Sequence, residues 1–156
     1  MSEANATPEQ AQQATFNIEK LYVKDLSLEV PNAPAIFLER ETPQIDLQLH
    51  TNATPVEEGV YEVTITVTVT AKLAEKDKVM FLVEAKQAGI FQVRNIPQGE
   101  IEPILAVMCP NILYPYLREV VSDVVIRAGF APVMLSPINF DVLYQQQKQQ
   151  AQEVKH

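Results

Sequence analysis

A chain of 156 residues, 47% of them hydrophobic, is long enough to bury one real core and too short to need a second domain. Against 12 Lys and Arg stand 20 Asp and Glu, a formal net charge of −8 that repels a phosphate backbone or an anionic membrane surface, so neither nucleic acid nor membrane insertion is expected. A lone cysteine, Cys109, excludes an internal disulfide framework, and no apolar run approaches the roughly 20 residues of a bilayer span.

Residues 1–14 are polar, Gln-rich and without aromatics, with neither the basic start nor the apolar run of a secretory signal, and read as a disordered arm. A strand is predicted over 16–30, where Phe16, Ile18, Tyr22, Leu26, Leu28 and Val30 share a parity. Leu21 and Val23 fall on the opposite one, which points to a bulge or to an edge used on both faces. That opposite parity also carries Glu19, Asp25 and Glu29, a row of acids. Pro31 and Pro34 stop the strand. Residues 35–42 cross over, with Ile36, Phe37 and Leu38 as an apolar plug. A short strand over 44–49 and a loop over 50–59 follow.

The pattern is clearest over 60–73. Tyr61, Val63, Ile65, Val67 and Val69 alternate with Glu62, Thr64, Thr66, Thr68 and Thr70, so this is a long strand with one apolar face and one threonine face. A turn over 74–78 leads to a strand over 79–87, with Phe81 and Val83 inward and Leu82 and Glu84 outward; Gly89 marks its exit. Four strands with one oily face predict an antiparallel meander backed by helices on one side, an α+β fold.

The period then changes. A helix over 98–109 is expected to end at Pro110, and Asn111 to cap a second one that runs to Gly129. Val125 and Ile126 make that helix apolar on two sides, as in a helix sandwiched in a core or shared with a second subunit. Residues 130–137 are extended and unusually apolar. Asn139 caps a last helix bearing Phe140, Leu143 and Tyr144, which dissolves into a Gln-rich tail over 148–156.

Chemistry is nearly absent. His50 and His156 have no spacing partner for a metal, Cys109 has no nearby base, and the isolated glycines open no phosphate loop, so neither catalysis nor a cofactor is indicated. Two features fit binding instead. Asp25, Glu29, Leu82 and Glu84 share an outward parity, either a solvated face or a docking surface. Tyr114, Phe130, Phe140 and Tyr144 crowd an irregular segment, either as core or as a groove.

The string Cys109-Pro110-Asn111-Ile112-Leu113-Tyr114-Pro115-Tyr116, with Pro137-Ile138-Asn139-Phe140-Asp141, resembles the bacterial protein-export chaperone family SecB. So do Tyr22-x-Lys24-Asp25, Pro31-Asn32-Ala33-Pro34, Val60-Tyr61-Glu62-Val63 and Gly89-Ile90-Phe91, in the same order over one domain of residues 15–147. The resemblance implies a cytoplasmic homotetramer, a dimer of dimers, that keeps unfolded preproteins competent for export and passes them to the export ATPase SecA without nucleotide or metal of its own. It further implies that SecA docks on Asp25, Glu29, Leu82 and Glu84. Clients would occupy a groove at Tyr114, Phe130, Phe140 and Tyr144, and subunits would meet at Val125 and Ile126. The rival is a carrier of a small apolar ligand in the same groove.

Overall fold

The computed structural model describes residues 13–154. Most of the expected N-terminal arm and the last two residues, His156 included, lie outside them. Four antiparallel strands, β1 (Thr15–Glu29), β2 (Gln44–Glu57), β3 (Val60–Leu73) and β4 (Lys78–Arg94), form one sheet in the order β1-β4-β3-β2. Only β2-β3-β4 is a meander. Strand β1 lies beyond β4, so the connection to β2 must pass from one edge of the sheet to the other. It does so past the β3–β4 turn, where Lys76 pairs with Glu39. Of the expected plug only Ile36 is buried; Phe37 stacks on Phe130 at 5.1 Å and Leu38 is exposed.

Strand β3 has the bounds its alternation predicts, and Val63, Ile65, Val67 and Val69 are fully buried on the helix side. Two strands are longer than expected. The loop predicted over 50–59 is the second half of β2, paired with β3 as far as Glu57, and only Glu58 and Gly59 turn the chain. Gly59 has φ 74, the left-handed geometry a tight turn needs. The polar and proline-bearing 50–57 stretch looks like a loop, yet β2 is an edge strand, where proline and polar side chains are tolerated. Strand β4 runs straight through Gly89. That glycine serves close packing rather than an exit, since a Cβ there would stand 2.7 Å from the Phe91 ring.

The helical layer also departs from expectation. Pro110 does not end a helix: α1 (Gln98–Pro103), a π-helical stretch (Ile104–Met108) and α2 (Cys109–Arg127) are continuous. In the π stretch the Cys109 N–H bonds five residues back, to the Ile104 carbonyl. Such a wide turn sets the proline where its missing N–H does little harm. Asn111 is therefore inside a helix and caps nothing. The 30 residues Gln98–Arg127 are long and apolar enough to cross a membrane by length and composition alone. Here Leu113, Leu117, Val121 and Val125 join the sheet's core instead.

Helix α2 ends as its glycine predicts. Gly129 (φ 93) donates to the Ile126 carbonyl at 2.9 Å and Phe130 to that of Val125 at 3.2 Å, the paired bonds of a glycine-capped terminus. After an extended segment, Asn139 Oδ1 accepts from the Val142 N–H at 3.1 Å and opens α3 (Phe140–Val154). Helix α3 continues through the Gln-rich stretch that was expected to be a tail.

Candidate functional site

The register of β1 resolves its two-sided sequence. Bulges lie between Ile18 and Lys20 and between Val23 and Asp25. They turn Leu21 and Val23 to the helix side, opposite Gly89 and Gln87, and Tyr22 to the outer side, opposite Ala88. Beyond the second bulge Asp25, Ser27 and Glu29 stand opposite Lys86, Glu84 and Leu82 on the outer face. The four residues expected to form one patch are thus brought together. Asp25, Glu29 and Glu84 are exposed, and Leu82 is half-buried among them. Strands β3 and β2 complete the row: Leu82 is opposite Thr70, and Thr70 is opposite Asp46. Asp46 is an exposed acid the patch gains from the long β2 register, and its alternation with Ile45 and Leu47 was the signal for it.

The helix side is different. Helix α2 covers the two central strands, leaving the apolar side chains of both edges partly in solvent. On β1 these are Ile18, Val23, Leu26 and Leu28; on β2 they are Ile45, 45% exposed, and Leu47, 40% exposed. Along β2 the uncovered strip becomes a groove. A hollow of about 570 Å³ lies between Ile45, Leu47 and Phe81 on the sheet and the segment from Phe130 to Ser136. A second, about 280 Å³, adjoins Leu49 and Thr51 beneath Phe140, Leu143 and Tyr144. A third, about 540 Å³, lies between Thr51, Asn52 and Ala53 and residues Ile101, Glu102 and Leu105. All three follow one strand, from Ile45 to Ala53, and β2 pairs on its other side with β3 alone.

The four aromatic candidates divide. Phe130 lines the largest hollow, held between Phe37 and Phe81, each with ring centroids 5.1 Å away. Phe140 and Tyr144 are buried but form the roof of the second hollow. Tyr114 lines none of the three. It packs edge-on against Phe140 at 5.6 Å and donates its hydroxyl to the Ser136 carbonyl, tying the groove wall to α2 from behind. Burial pushes its phenol above the ordinary value. The interface pair divides as well: Val125 is 0% exposed and belongs to the core, whereas Ile126 is 52% exposed on the far side of α2. Sequence periodicity marks all of these as apolar and cannot sort them, because burial depends on which side chains α2, α3 and the intervening segment turn to the sheet. Cys109 is buried in the core, and burial pushes its thiol up to about 12, a poor nucleophile.

The chain matches the model of the family described as preprotein translocase subunit SecB over residues 9–151. It is 64% identical over 143 residues to the protein-export protein SecB of Nitrosomonas eutropha, covering 92% of this chain and 89% of that one. To that of Aromatoleum aromaticum it is 65% identical over 139 residues, 89% and 87% of the two chains. Among solved structures its fold is similar to a SecB-like chaperone of Mycobacterium tuberculosis in complex with a ChAD peptide from an antitoxin. There the TM-score is 0.64 at 18% identity, over 79% of this chain and 90% of that one. A four-stranded sheet with helices on one face, flanked by an open apolar groove and matched at this identity, defines a protein-export chaperone. The chain belongs to the SecB family.

Proposed function

We propose that this chaperone holds unfolded preproteins as extended segments along β2, and that the line of hollows beside that strand is the observation that carries the reading. An unfolded chain offers backbone amides and scattered apolar side chains. A free strand edge satisfies the first, and hollows at intervals take the second without demanding a sequence. Phe130 contacts the client directly, Phe140 and Tyr144 through the roof of the second hollow, and Tyr114 holds the wall. The hollows at the two ends of this line are open to solvent, which favours a polymer over a sealed small apolar ligand.

Subunits assemble as a homotetramer, a dimer of dimers in the cytoplasm. The exposed apolar strips on β1 and around Ile126 and Met134 support this, since an uncovered apolar edge strand invites pairing. Several grooves on one assembly let weak contacts add through effective concentration. The outer face, with Asp25, Glu29, Leu82 and Glu84, delivers the client to SecA. Acids in exposed positions steer a basic partner and a central leucine supplies burial.

A photoreactive amino acid placed at Leu47 tests the client reading. Cross-links to an unfolded precursor and none to its folded, mature form are expected. Equal labelling of both, or of neither, contradicts it.

A further inference from the structure

Once the first bulge has shifted β1, Asp25 and Glu29 face outward only because the second bulge restores the strand's parity. Between Val23 and Asp25 the strand carries one more residue, Lys24, than β4 opposes to it. If the pairing of Val23 with Gln87 continued without that bulge, Asp25 would stand opposite Ala85 and Glu29 opposite Phe81, both on the helix side. Leu26 and Leu28 would turn outward, since a slip of one residue exchanges the faces of a strand. Burial within the subunit holds the native choice weakly, because Leu26 and Leu28 stay exposed even on the helix side.

One set of side-chain bonds among the described residues ties β1 to a strand beyond its neighbour. Tyr22 donates its hydroxyl to Glu62 Oε2, and Lys24 Nζ lies 2.7 Å from Glu62 Oε1. Glu62 belongs to β3, so both bonds span β4. Ala88 and Thr64, which lie in register with Tyr22, are buried on a face otherwise open to water. The two donors flank the bulge: Tyr22 sits before it and Lys24 is the extra residue itself.

We propose that Tyr22, Lys24 and Glu62 form a clamp that fixes the bulge of β1, and so are positioning residues that keep Asp25 and Glu29 on the docking face. The functional half of this rests on the reading of the outer face as the SecA surface. The clamp is built from two chemically distinct grips on one carboxylate, which makes it separable by mutation. Glu62→Gln removes the ion pair while keeping an acceptor for Tyr22. Tyr22→Phe with Lys24→Met removes both grips and leaves the carboxylate.

A disulfide trap reads the register without reference to SecA. Ser27 and Glu84 are directly opposed on the outer face, so Ser27→Cys with Glu84→Cys is expected to cross-link readily on oxidation in the otherwise unaltered chain. In the Glu62→Gln and the Tyr22→Phe/Lys24→Met backgrounds, cross-linking is expected to fall several-fold. Without the two cysteines, the same clamp variants are expected to bind SecA at least threefold more weakly while holding unfolded client normally. Undiminished cross-linking in both backgrounds overturns the clamp. If one background melts, which a thermal scan reports, the other carries the test. Asp25→Lys in a chain with an intact clamp tests the docking face by itself. If that reversal leaves SecA binding unchanged while the clamp variants still slip, the functional half is overturned and the register role stands.

Discussion

Phe130 and Phe140 are ten positions apart in one apolar stretch, and only their surroundings tell them apart. Phe140 is 2% exposed against Tyr114, so Phe140→Ala leaves a cavity and is expected to lower stability by about 3–5 kcal/mol, read by thermal or denaturant unfolding. Phe130 lines the open groove. Phe130→Ala is expected to weaken binding of a labelled unfolded peptide severalfold and, losing its two ring contacts, to lower stability by less than Phe140→Ala does. Equal losses of stability in the two variants contradict this division. Both residues were legible as apolar, and neither as core or wall, because that depends on which side of α2 and β2 the 130–138 segment returns along. At Glu62, the Lys24 ammonium and the Tyr22 hydroxyl hold the carboxyl below its ordinary value of 4.5. A depressed folded-state value contributes stability above that pH and loses it as pH falls through the folded value. In Glu62→Gln this part of the acid sensitivity of unfolding is expected to vanish; an unchanged pH slope below about 4.5 would show that the pair adds nothing to the fold.

At the scale of elements, strong two-residue alternation was enough to place β3 and the outward parity of β4. The second half of β2 was hidden because Asn, Thr and Pro there satisfy turn chemistry equally well, and pairing with β3 decides the matter. The continuity of α1 and α2 was hidden for a related reason: local rules make Pro110 a stop, and a single π turn absorbs it. Those two misreadings concealed how far the groove runs along β2, from Ile45 to Ala53, and that α1 and the π turn wall its far hollow. Leu47→Asp, on β2 and already half in solvent, is expected to impair client holding with little change in melting temperature, since the new charge is hydrated in the free protein and must be desolvated when a client binds. On the outer face, Asp25→Lys is expected to cut SecA binding sharply and to lessen its dependence on salt, whereas Leu82→Gln weakens the same binding with the salt dependence retained. Titrations at two ionic strengths distinguish them.

For the whole molecule, the acidic net charge, the single core and the sheet with helices on one face were readable from composition and period alone, while whether subunits assemble was not. An oily second face on α2 is equally a core and an interface until burial is known. Burial now separates the pair: Val125→Asp is expected to unfold the subunit, because an unpaired charge enters the core. Ile126→Asp is expected to leave a folded subunit of lower assembly mass by sedimentation. A parent protein that sediments as a monomer at micromolar concentration rules the tetramer out. This protein is expected to capture unfolded chains. Light scattering from a precursor diluted out of denaturant, with and without an equimolar amount of the chaperone, measures this capture. Scattering is expected to be suppressed, with the precursor unfolded yet soluble and the effect lost in Leu47→Asp; scattering that rises at the same rate whether or not the protein is present would show that it captures no unfolded chain.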